Sequence, residues 1–164
     1  MVLSNSHLLT CTLICLRRAA IQLAKLSGFN PIIATASLKN KELLRSFGAT
    51  HVLDRELPTA TLKEQARNIA GTPLTYIFSA VSLKEAQQTA YDLLAPGGTL
   101  AIVTENLVKE DETSQKKVLM VYGSFHIPEN RGLGVKFATA LTRWLAEGKI
   151  KVRVVCQTAV CLGG

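Results

Sequence analysis

The stretch Ile32-Ile33-Ala34-Thr35-Ala36-Ser37-Leu38-Lys39-Asn40-Lys41-Glu42-Leu43-Leu44-Arg45-Ser46-Phe47-Gly48-Ala49-Thr50-His51-Val52-Leu53-Asp54 decides the fold. Ile32–Thr35 is a short apolar run of β-favouring residues, and His51–Leu53 is a second. Between them Asn40 to Phe47 has the spacing of an amphipathic helix, and Gly48 stands where a left-handed residue ends one. Two strands joined by a helix, with short connections, predict a parallel βαβ unit.

The same alternation continues in both directions. Upstream, Leu8 to Leu16 is an apolar run in which Cys11–Leu16 reads as the first strand. Residues 17–27 form a helix with Ala20, Ile21, Ala24 and Leu26 on one face, closed by Gly28. Downstream, Thr61-x-x-Glu64 resembles a capping box for a helix to Ala70, closed by Gly71. Leu74–Ser79 is a strand, and Ser82-x-x-Glu85 a second capping signature for a helix through Leu94. Pro96-Gly97-Gly98 turns the chain into strand Thr99–Val103, and polar residues 105–115 read as a loop. Strand Lys117–Tyr122 follows, then a helix from near Gly134 to Glu147 with Phe137, Leu141, Trp144 and Leu145 on one side. Gly148 ends it, and Val152–Val155 is a last extended piece. The expectation is a single α/β domain, a doubly wound parallel sheet with helices on both faces. Residues 1–18 form a divergent N-terminal segment carrying the first strand, 19–155 the domain and 156–164 a tail.

Composition bounds the function. The 164 residues are 48% hydrophobic but only 5% aromatic, which suits aliphatic sheet and helix layers. The net charge of +7 favours an anionic ligand, but no dense Lys/Arg patch points to nucleic acid. Cys11 with Cys15 and Cys156 with Cys161 lack the tight spacing of a zinc knuckle, so no metal site is expected. Free thiols suit a reducing, cytoplasmic setting. The Leu8–Leu16 run is too short to span a bilayer. Arg17 and Arg18 occupy the place where a signal peptide would carry its cleavage site, so a buried strand is favoured over a secretion signal.

In an open parallel sheet, ligands bind beyond the carboxyl ends of the strands. After the second strand stand Ser37, Lys39 and Asn40, with no Asp or Glu to grip ribose hydroxyls. A hydroxyl, an amide and an ammonium would accept a 2′-phosphate, and Arg55 after the third strand could reach the same group. Equally, Asn40 could be a helix cap, Lys39 a solvated charge, and Arg55 a partner of Asp54 or Glu56. Ser79 and Val81 follow the fourth strand, Val103 the fifth, and Gly123-Ser124-Phe125-His126 the sixth. His126 is the one crevice histidine to consider as an acid or base, and it has no evident carboxylate partner. A dinucleotide site also needs a glycine-rich turn between the first strand and helix. Here Leu16-Arg17-Arg18 stands in that place, and the first glycine is Gly28.

Ala20-Ile21-Gln22-Leu23-Ala24-Lys25-Leu26-Ser27-Gly28-Phe29 resembles the first cofactor-domain helix of medium-chain (zinc-type alcohol dehydrogenase-like) reductases, especially fungal enoyl-reductase-like and quinone-reductase-like members. Ile33–Ser37, Phe47–Asp54, Leu94–Leu100 and Leu145–Ile150 resemble later elements of that family in the same order. The resemblance implies a Rossmann-like fold binding NADP(H) for reduction of an activated double bond or carbonyl. It places Ser37, Lys39, Asn40 and Arg55 at the adenosine phosphate, Ser79, Val81 and Val103 at the nicotinamide ribose, and Gly123, Ser124 and Phe125 at the nicotinamide loop. Family members carry a substrate-binding domain before this region, whereas the similarity here begins at about residue 19. No catalytic residue is therefore assigned, and cofactor affinity is expected to be weak or lost. The alternative is a non-enzymatic interaction protein, pairing with a second copy or another chain through surface the substrate domain would cover. Leu94–Leu100 also resembles S-adenosylmethionine-dependent methyltransferases, but the glycine-rich loop and second-strand acid that class needs are missing.

Overall fold

The computed structural model describes residues 8–11 and 14–152, with side chains from Arg18 onward. The elements are β1 (Leu8–Cys11), α1 (Ile14–Leu26), β2 (Ile32–Ala36), α2 (Lys41–Phe47), β3 (His51–Asp54), α3 (Thr59–Ala70), β4 (Leu74–Ser79), α4 (Lys84–Leu93), β5 (Leu94–Ile102), β6 (Lys117–Met120) and α5 (Pro128–Ala146). The six strands lie in the order β3-β2-β1-β4-β5-β6 and every pair is parallel. That is the order of a Rossmann sheet, with the direction of winding reversing between β1 and β4.

The two sheet faces are built by period-2 patterning. All five residues of β2 are buried, as expected of a strand covered on both sides. Ile32, Ala34 and Ala36 pack with Ile21 and Ala24 of α1 and with Leu44 and Phe47 of α2. Ile33 joins Leu53, Ala66, Ala70, Leu74, Ile77, Ala90 and Tyr91 on the side of α3 and α4. Ile21, Ile32, Ile33, Leu44, Leu74 and Ile77 are fully buried, each worth about 1.5–3 kcal/mol. Leu44→Ala would remove a side chain from the layer joining α2 to β2, at a cost of about 2–5 kcal/mol.

Helix ends follow local sequence where glycine sets them. Gly48 has φ of 118° and donates its N–H to the carbonyls of Leu44 and Arg45, closing α2 as the sequence predicts. The starts of α3 and α4 are not set by the capping residues the sequence offers. α3 opens at Thr59 behind Pro58, and α4 at Lys84 behind Leu83, neither with a side-chain cap bond. Both expected capping boxes are therefore corrected: Thr61 lies inside α3, and Glu85 accepts from Thr59 Oγ1 at 3.3 Å, tying α4 to α3.

Two boundaries move further. The first strand is Leu8–Cys11, and residues from Ile14 are already helical. β1 pairs with Ile32–Thr35 on one side and Tyr76–Ser79 on the other, in parallel register over Leu8–Cys11. The last helix starts at Pro128, six residues before Gly134, because proline suits the first helical position. Of its expected inner face, Phe137, Leu141 and Trp144 are half-buried and Leu145 is exposed. β6 ends at Met120, although Val121 N–H still reaches the Ile102 carbonyl at 2.7 Å. The extended piece expected at Val152–Val155 lies, apart from Val152, outside the described residues. Among the described residues no helix is long and apolar enough to cross a membrane.

Candidate functional site

The crevice to build upward from lies at the carboxyl ends of the strands, where β1 and β4 diverge into opposite windings. On the β2–β3 side, Ala36 and Asp54 are in register and Arg55 N–H donates to the Ala36 carbonyl at 3.1 Å. This brings Arg55 to the same edge as Ser37. Ser37 is half-buried with extended backbone, and its hydroxyl caps nothing in the following turn. Asn40 occupies the N-cap position of α2, yet its side chain makes no cap bond. Its N–H donates to the Ser37 carbonyl at 3.0 Å, folding the loop into one compact corner. Lys39 is exposed on that corner. Arg55 Nη2 lies 3.8 Å from Glu56 Oε1 with both side chains mostly exposed, a pair too loose to hold the guanidinium. Asp54 turns into its own loop, Oδ1 accepting from Glu56 N–H at 3.1 Å.

On the β4–β5 side, Ser79 ends β4 opposite Cys11 and Ile102. Its side chain is fully buried, and its Oγ has no hydrogen-bond partner among the described residues. Its carbonyl receives Val103 N–H at 3.3 Å, which fixes Val103 beside it. Val81 is half-buried, and its carbonyl accepts from Gln87 Nε2 at 2.8 Å and Thr104 Oγ1 at 3.1 Å. Beyond β6, the Ser124 carbonyl accepts from Asn130 Nδ2 at 3.1 Å, and the Phe125 ring stands 6.0 Å from that of Phe137. Gly123 and His126 are exposed, and His126 N–H donates to Ser124 Oγ at 3.3 Å. Ser37, Asn40 and Arg55 thus share one corner, Ser79, Val81 and Val103 a second, and Gly123–Phe125 the loop after β6.

A family model described as zinc-binding dehydrogenase matches residues 18–129. The chain belongs to that family. Within this family of medium-chain dehydrogenases and reductases, a trans-enoyl reductase, FMN2 of Fusarium mangiferae, is 32% identical over 149 residues, covering 80% of this chain and 39% of that protein. The chain therefore spans about two-fifths of that relative's length. Among solved structures, benzyl alcohol dehydrogenase from Acinetobacter calcoaceticus superposes with a TM-score of 0.73 at 22% identity, covering 91% of this chain and 41% of that one. A mycobacterial protein, Rv1454c, solved in complex with NADPH, superposes with a TM-score of 0.75 at 19% identity, covering 92% of this chain and 48% of that one. At such identities the structural likeness speaks for the fold.

For a member of this dehydrogenase family, two features of the crevice stand out. The first concerns the turn before α1. Because α1 starts at Ile14, Arg17 and Arg18 belong to the helix and not to the stretch before it. The expectation that Leu16-Arg17-Arg18 replaces the phosphate turn is thus corrected in position. The absence of glycine holds at the new position as well, since none precedes Gly28. Arg18 packs against α2, its guanidinium carbon 5.6 Å from the Phe47 ring centroid. The second concerns zinc. Among the described residues no three His, Cys, Asp or Glu side chains stand together as a metal-holding group.

Sequence reasoning missed Gln87, Gln88 and Tyr91. Three polar side chains of α4 strap the segment that follows β5: Leu107 N–H donates to Gln87 Oε1, Lys109 N–H to Gln88 Oε1, and Asp111 N–H to Tyr91 Oη, at 2.9, 2.9 and 3.0 Å. Residues 105–111 are therefore an ordered strap along α4. Helical spacing of 87, 88 and 91 meets extended spacing of 107, 109 and 111, a match visible only once the two segments are side by side.

Proposed function

We propose that this chain is the NADP(H)-binding part of an enoyl- or quinone-reductase-like oxidoreductase, weak or inactive as a catalyst by itself. The observation carrying this reading is Ser79, a fully buried hydroxyl without a partner among the described residues at the carboxyl edge of β4, beside the β1/β4 reversal. A buried hydroxyl left unpaired costs about 1–3 kcal/mol, and a ribose hydroxyl in the crevice would relieve that cost. The cationic corner of Ser37, Lys39, Asn40 and Arg55, with no acid after β2, favours a 2′-phosphate over a bare ribose. Val81 and Val103 would line the nicotinamide ribose, and Gly123, Ser124 and Phe125 the ring. The reaction class is reduction of an activated double bond or carbonyl. Hydride would come from the cofactor, and substrate-positioning groups from outside the residues described here. Without a glycine turn the pyrophosphate loses its closest backbone donors, which lowers affinity.

The test is fluorescence titration with NADPH, against NADH and S-adenosylmethionine. Saturable binding with preference for NADPH supports the reading. Absence of binding up to about millimolar, a binding free energy of only about −4 kcal/mol, would overturn it.

A second reading, a non-enzymatic interaction protein, is favoured by one feature. Leu119, Met120, Val121 and Tyr122 on and after edge strand β6 are all exposed, as are Leu133 and Val135 of α5. Apolar side chains along a sheet edge that no strand pairs among the described residues invite a second chain. Concentration-dependent mass by light scattering, with no NADPH binding, would select this reading over the first.

A further inference from the structure

Gln87 sits at 0% exposure on α4, and each polar atom of its amide is engaged. Nε2 donates to the Val81 carbonyl at 2.8 Å and the Glu105 carbonyl at 3.0 Å, and lies 3.1 Å from Thr104 Oγ1. Oε1 accepts from Leu107 N–H at 2.9 Å. The amide can point only one way, since an N–H faces the oxygen and two carbonyls face the nitrogen. Glutamate would set an oxygen against those carbonyls, and methionine, of similar shape, would remove the amide's bonds to the Val81 and Glu105 carbonyls and to Leu107 N–H.

The partners fall in two different loops. Val81 lies two residues past β4, and Thr104, Glu105 and Leu107 lie past β5. Thr104 Oγ1 adds a second link by donating to the same Val81 carbonyl at 3.1 Å. Gln88 and Tyr91 hold the outer strap, at Lys109 and Asp111, without reaching the β4 loop. Gln87 alone among the three joins the strap to the segment bearing Ser79 and Val81.

We propose that Gln87 is a positioning residue for the nicotinamide half of the crevice, setting the spacing of the β4 and β5 ends between which that half of the cofactor sits. This rests on the NADP(H) reading given above. It implies a separation by ligand half. The β2–β3 corner that would hold the adenosine phosphate has no bond to Gln87, so losing the clip disturbs one end of the dinucleotide and spares the other.

The experiment titrates wild type, Gln87→Met, Thr104→Val and Gln88→Ala with NADPH and with adenosine 2′,5′-bisphosphate, the adenosine end alone. Amide hydrogen exchange at Leu107 is followed in parallel. Expected is a loss of NADPH affinity on the order of tenfold for Gln87→Met, with bisphosphate affinity unchanged and exchange at Leu107 accelerated. Thr104→Val shows the same pattern more weakly and stands in if Gln87→Met fails to fold. Gln88→Ala moves neither affinity. Equal losses on both ligands, or no loss on either, would make Gln87 a merely structural residue and overturn the proposal. Wild type that binds neither ligand overturns the cofactor reading, and the positioning role with it, while faster exchange at Leu107 in Gln87→Met would still register the clip itself.

Discussion

The ring of Phe125 rests on the α-carbon of Gly134: a Cβ built at 134 would fall 2.7 Å from Phe125 Cγ and 2.9 Å from its Cβ. Gly134 is the one residue of α5 that is buried, and this contact fixes the loop after β6 against the helix. Gly134→Ala gains about 1 kcal/mol of helix propensity but forces Phe125 aside, at about 1–3 kcal/mol. Net destabilisation of about 1 kcal/mol in urea unfolding is expected. In a Phe125→Ala background the clash is gone and only the propensity remains, so the same substitution should become stabilising. An unchanged sign across this double-mutant cycle would refute the packing account.

Ser79→Ala separates stability from binding. The Ser79 hydroxyl is buried and unpartnered among the described residues, so removing it should leave stability unchanged or raise it by about 1 kcal/mol. If the hydroxyl serves the cofactor, NADPH affinity should fall several-fold at the same time. A thermal melt beside a titration checks both. Destabilisation by more than about 1 kcal/mol would mean that the hydroxyl already has an internal partner.

What the sequence could and could not disclose follows from locality. Leu74–Ser79 and the ends of α2 and α3 are set by neighbours in the chain, and Gly48 and Gly71 take their positive φ where the pattern places them. The start of α1 at Ile14 falls inside the apolar run Leu8–Leu16, where no glycine or proline marks a boundary between strand and helix. That Ser37 and Arg55 share one edge is legible, because residues after neighbouring parallel strands lie at the same end of the sheet. Ser79 is legible in place, but its lack of a partner emerges only from packing. Gln87 is illegible, since a glutamine in an amphipathic helix reads as surface until two loops close over it.

Asp92 gives a pH dependence. Partial burial pushes its carboxyl up, but hydrogen bonds from Lys63 and Gln88 and the charges of Lys63 and Lys116 outweigh that and hold it below the ordinary aspartate value. A folded-state pKa below the unfolded one stabilises above the unfolded value and is lost as pH falls through the folded one. The 2.7 Å bridge from Lys63 to Asp92 joins α3 to α4 and is partly exposed, so the contribution is about 0.5 kcal/mol. Asp92→Asn should lower stability at neutral pH by about that much and make no difference in strong acid. Urea midpoints across the acid range measure it, and an equal effect at all pH values would exclude the ion pair as the cause.

The adenosine corner makes the sharpest demand on the functional reading, because its two cations should recognise one group. Lys39 and Arg55 are both exposed, so each acts through solvent-screened attraction and about three- to tenfold in affinity is expected from either. Lys39→Ala and Arg55→Ala should each weaken NADPH by that factor and leave NADH unchanged, since only NADPH carries the 2′-phosphate. Ser37→Ala should do less, removing a hydrogen bond without a charge. Raising ionic strength should shrink the wild-type preference for NADPH toward that of a Lys39→Ala/Arg55→Ala double variant. If instead both substitutions weaken NADPH and NADH alike, the cations act on the pyrophosphate, compensating for the turn that lacks glycine, and the specificity assigned to this corner would be wrong.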